Sequence, residues 1–453
     1  MLKKEYPETL DLFRSRLDQI IEMGHPLVKL ANSMDWSFFE EAYSKHYSDE
    51  QGRPSKTIRL MVGLHYLKHT FDESDESVVI RLLENPYWQY FCGFEYFQRS
   101  LPAHFTMMNK FRGRIGKEGA EKMLQGIIQT AVKTGALKKR SMRRVVVDTT
   151  VQEKAITFPT DAKLYRKMCE ILVSYARDLG IKLRQSYKRK GKQALFRQGR
   201  YAHAKQYKRA RRETRKLKTY LGRVVRDIRR KATKLDERLQ NYLILADRLL
   251  VQEKHSKNKL YSIHAPEVEC ISKGKAHEQY EFGVKTSITS THEGSWVIGA
   301  MTFPGNPYDG HTLDTSLKQT EKLTGEKIDE AFVDLGYRGH NHQGHTQVHV
   351  VDGRKLRKLT RHVRKLYKRR SAIEPIIGHL KNDNGMSKNW LKGEDGDMIN
   401  ALLSGCGYNM KKLIRFFFVL ILEWIKKCFL FPVCRQTWHF YHHRYCSLVY
   451  QVS

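Results

Sequence analysis

The sequence predicts a mixed α/β fold that is interrupted by a helical insertion and preceded by a helical N-terminal region. Short β-branched runs such as Val145-Val146-Val147 are typical of buried strands. Longer segments between them carry apolar residues every three or four positions, as amphipathic helices do. After the N-terminal region the order is strand, helical stretch, two strands, helix, two strands and helix, which indicates a mixed sheet with helices packed on it.

Residues 1–140 read as helical and are predicted to form an N-terminal domain. An apolar stripe runs from Glu118 to Gly135, where the glycine is a plausible C-terminal stop, and a similar pattern runs from Pro54 to Phe71. Aromatic residues cluster between Tyr87 and Phe97. Such a cluster could stack on bases, but burial in a core is the more common use and is expected here.

Residues 141–412 are predicted to form an α/β domain, with residues 161–255 as a helical insertion. Two strands are expected to form a hairpin through the turn at residues 292–295. The predicted elements after the insertion are strands at Tyr280–Thr289, Trp296–Phe303, Ala331–Val333 and Val348–Val351, and helices at Leu313–Leu323 and Leu366–Lys381. Residues 413–453 form a tail to which no role is assigned.

Charge is the strongest compositional signal in the chain. Among 453 residues, 82 are Lys or Arg and 48 are Asp or Glu, so the formal net charge is +34. Between residues 181 and 220 there are 16 Lys or Arg residues and a single acid, Glu213. A solvated helix face is the alternative, but self-repulsion makes it costly unless an anion lies nearby. We expect this insertion to contact nucleic acid.

Other features exclude several classes of protein. Hydrophobic residues make up 40% of the chain, which indicates a folded protein. Seven cysteines without a Cys-x-x-Cys pair are typical of reduced thiols. No signal peptide is recognisable at the N-terminus, and the apolar stretch Leu413 to Ile425 falls short of the ~20 residues that span a bilayer. We therefore expect a cytoplasmic protein without a membrane partner.

Two aspartates directly follow short apolar runs. Asp148 comes after Val145-Val146-Val147, and Asp334 comes after Ala331-Phe332-Val333. Carboxylates fixed at the ends of neighbouring buried strands are suited to binding Mg²⁺, and a third carboxylate would allow two ions. A turn or cap aspartate is the alternative for each residue taken alone.

A third carboxylate occurs in a conspicuous pattern near residue 370. Tyr367, Arg370, Glu374 and Lys381 are spaced so that they share one stripe of a helix. The stripe would combine a metal-binding carboxylate with a guanidinium and an ammonium suited to phosphate. Pro375 should kink this helix or begin a new one.

Several of these residues also fit other interpretations. Ser371-x-x-Glu374 also reads as a capping box, which would give Glu374 a structural role. Asp309 and Asp314 read as loop and helix-start residues. Zinc sites are conceivable but poorly matched to known spacings, from the residues His340, His342, His345 and His349 or from Cys428, Cys434, His442 and Cys446.

The complete Tyr-x-x-Arg-x-x-x-Glu-x-x-x-x-x-x-Lys spacing resembles the signature around the glutamate of DDE transposases from bacterial insertion sequences. The blocks that begin at Asp148 and Asp334 resemble those around the two catalytic aspartates of that family. The stretch Gly305 to Leu313 is similar to a motif that precedes the second block in the insertion-sequence-five group. The four blocks occur in the family's order, and the resemblance covers residues 50 to 410.

The resemblance implies an RNase H-like catalytic domain in which Asp148, Asp334 and Glu374 hold two Mg²⁺ or Mn²⁺ ions. It implies cleavage at transposon ends followed by strand transfer into target DNA. Arg370 and Lys381 would bind phosphates and Tyr367 would contact DNA. The N-terminal domain would help to bind terminal inverted repeats, and the insertion would follow the first strand of the sheet.

The sequence therefore predicts a metal-dependent DNA transposase, associated with the nucleoid, that acts as a homo-oligomer because two transposon ends must be brought together. One alternative is an inert DNA-binding protein descended from a transposase. Another is a basic RNA-binding or ribosome-associated protein, which would explain the charge but not the pattern around Glu374.

Overall fold

A computed structural model describes residues 16–48, 54–232, 236–253, 256, 259–272, 279–354 and 359–429, with side chains as far as residue 422. Within these ranges the chain is a mixed α/β protein. A six-stranded sheet lies among many helices, as the alternating sequence pattern predicts. No helix in the described part of the chain is long and apolar enough to cross a membrane.

The sheet combines antiparallel and parallel pairing around its first strand. β1 pairs antiparallel with β3 and parallel with β5, β5 pairs parallel with β6, and both β2 and β4 pair antiparallel with β3. The strands are β1 (Arg144–Glu153), β2 (Glu269–Ser272), β3 (Tyr280–Thr291), β4 (Val297–Phe303), β5 (Glu330–Val333) and β6 (Gln347–Val350). The predicted β3–β4 hairpin is confirmed. β2 was missed because four residues offer no apolar run.

β1 is much longer than the sequence predicts. The apolar run Val145-Val146-Val147 is only its first part, and the prediction that Asp148 ends the strand is wrong. The polar residues that follow stay extended because β3 pairs with β1 from Val145 to Glu153. Gly283 permits this close approach, since a Cβ there would lie 1.9 Å from the carbonyl oxygen of Gln152.

Helices dominate the N-terminal region, as predicted. They are α1 (Leu17–Ile20), α2 (Pro26–Ser33), α3 (Trp36–Ser44), α4 (Ile58–Thr70), α5 (Asp75–Glu84), α6 (Pro86–Phe91) and α7 (Thr106–Lys133). In the aromatic cluster, Trp88 and Phe91 are buried, which supports a core role. Residues of these helices and of the sheet share one hydrophobic core.

The segment between β1 and β2 forms a helical bundle with a core of its own. Its helices are α8 (Asp161–Asp178), α9 (Lys188–His203), α10 (Tyr207–Lys231) and α11 (Glu237–Val251). Met168, Leu172, Leu221 and Ile228 are among the buried members of this second core. The helical character expected for the insertion is therefore present in the structure.

Four α-helices follow the hairpin in the described part of the chain. They are α12 (Asp309–Thr324), α13 (Arg361–Lys368), α14 (Ile373–Asp383) and α15 (Gly393–Phe429). Gly325 ends α12 in the left-handed conformation, close to the predicted stop. The expected tail boundary at residue 412 falls inside α15. The division of the chain into domains stays a prediction.

A buried ion pair joins the end of β1 to the start of α15. The ammonium of Lys154 lies 2.6 Å from a carboxylate oxygen of Asp397 and 2.9 Å from one of Glu267. Asn389 donates a hydrogen bond of 2.6 Å to Asp397. Burial raises the pKa of Asp397 to about 6, although Lys154 and Asn389 favour the ionised form. One ammonium and two carboxylates are thus largely removed from water and depend on one another.

Replacing Lys154 should expose this dependence. Lys154→Met leaves the buried carboxylates without their cation, and we expect a loss of about 3–5 kcal/mol in the free energy of unfolding, measured with urea. Adding Asp397→Asn removes one of the stranded charges, so the double variant should recover part of the loss. A double variant as unstable as Lys154→Met would contradict this account.

The raised pKa of Asp397 also predicts a pH dependence. Between its ordinary pKa of about 3.9 and its folded pKa of about 6, the folded state holds a proton that the unfolded state releases. The carboxyl's stabilising contribution is therefore complete below the lower pKa and is lost as pH rises through the upper one. Urea unfolding at pH 5 and pH 7.5 should show the wild type losing stability relative to Asp397→Asn. An unchanged difference would refute the prediction.

Candidate active site

The pairing of β1 with β5 brings two aspartates level with each other. Val146 pairs with Phe332 in parallel register, so the same register two residues further on aligns Asp148 with Asp334. Side chains alternate between the two faces of a strand, which puts both aspartates on the face of Val146 and Phe332. Those two residues pack with Ile373 of α14. The carboxylates therefore point toward the helix that carries Glu374.

Local backbone hydrogen bonds orient each aspartate. One carboxylate oxygen of Asp148 accepts the amide N–H of Thr149 at 2.8 Å. One oxygen of Asp334 accepts the N–H of Gly336 at 2.9 Å, as the cap of the 3₁₀ turn Leu335–Tyr337. The prediction that Asp334 directly follows a buried strand is confirmed, since β5 ends at Val333.

Arg370 joins the third carboxylate to this pair. Its Nη2 donates to Glu374 Oε1 at 2.7 Å, and its Nη1 lies 3.6 Å from Asp148 Oδ2. The arginine side chain is 16% exposed, whereas that of Glu374 is 61% exposed and reaches the site from its rim. A single guanidinium thus interacts with the carboxylates of a strand and a helix.

The carboxyl group of Asp334 is balanced between opposing influences. Burial raises its pKa above the ordinary value, and the nearby charges of Asp309 and Glu374 act in the same direction. The Arg370 guanidinium and the N–H of Gly336 oppose that rise. The carboxylates of the site therefore carry more negative charge than Arg370 neutralises.

The Tyr-Arg-Glu-Lys pattern does not lie on one continuous α-helix. Tyr367 belongs to α13, Arg370 to a 3₁₀ turn at Arg369–Ala372, and Glu374 to the first turn of α14. The prediction of a single helical stripe is wrong in this respect. Pro375 lies in the first turn of α14, where its missing N–H costs no helical hydrogen bond. It thus helps to begin a new helix, as one of the two predicted outcomes.

The capping-box interpretation of Glu374 is not supported. The hydroxyl of Ser371 donates to the carbonyl oxygen of Lys368 at 2.8 Å, and α14 has no side-chain cap at its N-terminus. Glu374 instead makes its contact with Arg370.

The two other predicted DNA contacts lie in different surroundings. Tyr367 packs edge-on against Phe332 with ring centres 5.7 Å apart, and its hydroxyl lies 3.3 Å from His349 Nδ1. The Lys381 ammonium lies 3.9 Å from a carboxylate oxygen of Glu281 on β3. Of the three residues, Arg370 is the one for which the structure describes a contact with the acidic cluster. The DNA-binding roles remain predictions.

A fourth carboxylate, that of Asp309, lies beside Asp148 and Asp334. The sequence predicts Asp309 only as a loop or helix-start residue. Asp309 does begin α12, but its Oδ1 also accepts from the Thr149 hydroxyl and the Lys285 ammonium, both at 2.9 Å. A Cβ on Gly336 would lie 3.0 Å from an oxygen of Asp334 and 3.2 Å from one of Asp309. The motif Gly305 to Leu313 was the available signal, but it does not show that the first residue of α12 lies beside β1 and β3.

A buried tyrosine hydroxyl completes the polar surroundings. Tyr337 is fully buried, and burial raises its pKa well above the ordinary value. The carboxylates of Asp148, Asp309 and Asp334 raise it further. The hydroxyl therefore keeps its proton in the presence of three neighbouring acids.

In the part of the chain that the structure describes, no group of three or more His, Cys, Asp and Glu side chains is arranged to hold a metal ion. The histidine alternative for zinc is not supported, because three of these histidines pair with different carboxylates, His342 with Asp314, His345 with Glu321 and His349 with Glu330. Cys434, His442 and Cys446 lie outside the described residues, as does the side chain of Cys428.

The Lys285–Asp309 contact should contribute to stability. Lys285 is only 12% exposed, so Asp309→Asn leaves an almost buried ammonium without its carboxylate. We expect a loss of about 1–3 kcal/mol in the free energy of unfolding, measured with urea. Glu326→Gln is a matched control, since Glu326 is 21% exposed but its partner Arg143 is 58% exposed. Equal losses in both variants would contradict the prediction.

Comparison with known proteins assigns two regions of the chain. Residues 15–114 match the family model described as Transposase domain (DUF772), and residues 250–410 match the one described as Transposase DDE domain. The second match contains β3 to β6 and the whole of α14, and therefore two of the three carboxylates, Asp334 and Glu374.

The chain also matches a curated protein over part of its length. The chain is 52% identical over 197 residues to "Uncharacterized protein ORF8 in nfe locus" from Rhizobium meliloti, which is 44% of this chain and 95% of the relative. No solved structure matches. Both family models describe transposase domains, and together the two matches support a DDE transposase.

Proposed function

We propose that this chain cleaves DNA at the ends of a mobile element and transfers the freed strands into target DNA. The observation that carries the proposal is that Arg370 interacts with Asp148, Asp334 and Glu374, which come from β1, from the end of β5 and from α14. Among the described residues these carboxylates are not close enough together to form a metal site by themselves, so the ions would have to draw them in. Carboxylates on neighbouring elements of rigid structure are the groups that phosphodiester chemistry with divalent ions requires.

The donor set suits a hard divalent cation. Carboxylate oxygens are preferred ligands of Mg²⁺ and Mn²⁺, and we propose Asp148, Asp334 and Glu374 as the residues that hold two such ions. When bound, the ions would activate the attacking oxygen and stabilise the leaving oxygen. Burial of Asp334 and the excess of acids favour the arrival of positive charge. Asp309 already accepts hydrogen bonds from Lys285 and Thr149, so we do not assign it to the ions.

Arg370 is well placed to bind the phosphate next to the scissile bond. Its Nη1 is buried and has no hydrogen-bond partner among the described residues, since Asp148 lies beyond hydrogen-bond distance. A buried guanidinium N–H without an acceptor is unfavourable, and a phosphate oxygen would satisfy it. Arg370 would then orient the substrate while Glu374 keeps its own position at the rim.

The same function gives roles to the sheet and to the N-terminal helices. We propose that the sheet is RNase H-like, which the helical insertion after β1 and the acidic pair on β1 and β5 support. The N-terminal helices, of which α1 to α6 lie within the matched transposase domain, would bind the terminal inverted repeats. Two ends must be held together during transposition, so a homo-oligomer is expected. Lys381 and Tyr367 would contact DNA beside α14.

Cleavage of the element's own end tests the proposal. A labelled duplex carrying that end is incubated with wild-type protein or Glu374→Gln, each with Mg²⁺ or with a chelator. We expect nicking at the end of the element that requires Mg²⁺ and falls at least about 100-fold in the variant, because one ligand of the ions is lost. Glu394→Gln is the matched control, since Glu394 also lies exposed in the first turn of a helix.

The outcomes separate the alternatives. Tight binding of the duplex without cleavage by the wild type would favour an inert DNA-binding descendant. Cleavage that survives Glu374→Gln would show that the active site has been misplaced. Preference for bulk RNA over the element's end would favour the RNA-binding alternative.

A further inference from the structure

A cleft of about 720 Å³ opens on the helical bundle between the loop that precedes α9 and the C-terminal half of α10. Five cations line it, Arg184, Lys190, Arg223, Arg226 and Arg230, together with one acid, Asp227. None of these residues belongs to the acidic site on the sheet. The cleft therefore requires a separate explanation.

The single acid in the cleft serves the protein itself. Asp227 is buried and accepts the backbone N–H of Arg184 at 2.6 Å, an Arg230 N–H at 2.7 Å and the Lys231 ammonium at 3.2 Å. These hydrogen bonds lower its pKa to about 2, the one from the Arg184 backbone most strongly. Asp227 thus fastens the loop to α10 and leaves little negative charge for the other cations.

Two stacked tyrosines make the wall of the cleft rigid. The rings of Tyr187 and Tyr220 lie 4.5 Å apart with an angle of 11° between their planes. The Tyr187 hydroxyl accepts an N–H from Arg223 at 3.4 Å. Tyr187 has a φ of 50°, a left-handed conformation that costs energy for a residue with a side chain. The loop is therefore held in one shape despite this strain.

The arrangement of charge on α10 is unfavourable without an anion. Arg223, Arg226 and Arg230 follow one another at spacings of three and four residues, where like charges on a helix repel. In the described part of the chain, no ion pair is found for Arg184, Arg223 or Arg226. Exposed repulsion of this kind is relieved by a bound anion.

The extent of the charge indicates a polymer rather than a small anion. α10 contains twelve Lys or Arg residues and two acids, and both acids, Glu213 and Asp227, are buried. Its exposed surface is therefore cationic from Lys208 to Lys231. That length is ~35 Å at the rise of an α-helix, close to one turn of B-form DNA. One free phosphate would neutralise only a small part of it.

We propose that this cleft and the cationic surface of α10 bind the sugar-phosphate backbone of duplex DNA without reading its sequence. This inference rests on the proposed function, since it names the surface that holds the DNA beside the catalytic domain. Arginine side chains suit phosphate contacts, and the stacked tyrosines fix the loop beside them. The stacked tyrosines face each other, which leaves them less able to take a base between them.

Salt-dependent binding tests the inference. Affinity for a duplex with the element's end and for an unrelated duplex is measured between 50 and 300 mM salt by fluorescence anisotropy, for full-length wild type and Arg223→Ala/Arg226→Ala. Loss of two phosphate contacts should reduce the slope of log affinity against log salt by about 2, and affinity at moderate salt roughly tenfold, equally for both duplexes. Alanine suits these exposed helical positions, and circular dichroism checks the fold.

Arg177→Ala/Arg238→Ala is the matched control, because both arginines are exposed on the same bundle and do not line the cleft. An unchanged slope in the cleft variant, or an equal loss in the control, would overturn the inference while leaving the proposed function intact. A loss confined to the element's end would also overturn it, since sequence would then be read here. A wild type that binds neither duplex would refute the proposed function itself. Tighter binding of duplex RNA than of duplex DNA would overturn the choice of partner.

Discussion

The parallel pairing of β1 with β5 is the constraint on which the candidate site depends. With Val146 opposite Phe332, the alternation of side chains sends Asp148 and Asp334 to the same face at the same level. A shift of one residue would turn either carboxylate into the main core. That register is supported from the other side by the nine-residue ladder between β1 and β3. The strand that carries the first aspartate therefore has little freedom to move.

Around this rigid frame the chain balances charge locally. Arg370 lies among Asp148, Asp334 and Glu374, and Lys285 holds Asp309 beside them. Similar compensation occurs at the far end of β1, where a buried lysine meets two carboxylates. The two clusters differ in how far their carboxylates are exposed to solvent. The far cluster is closed and structural, whereas Glu374 is exposed at the rim of the site. In the proposed function that exposure would let ions and phosphate replace the internal partners.

The helical insertion divides its acids and bases in a way that complements this site. Its acids on α10 are turned inward and neutralise neighbouring groups, while the outer surface is left cationic. An acidic catalytic centre by itself repels DNA. In the proposed function a separate basic surface on the same chain would supply the attraction that brings the polyanion close, and the centre would then need to bind only one phosphate.

The sequence by itself determined the mixed α/β class, the hairpin, the helical insertion and the position of Asp334 directly after a buried strand, because each depends on local periodicity or on residues adjacent along the chain. The family signature likewise requires only spacing. Tertiary structure decided what local pattern cannot contain. It extended β1 through Asp148 by pairing it with β3, and broke the Tyr-Arg-Glu-Lys pattern into separate helical segments. It also brought Asp309 beside Asp334 from a distant helix. Contacts between residues far apart in the chain fix these features, and no short stretch of sequence specifies them.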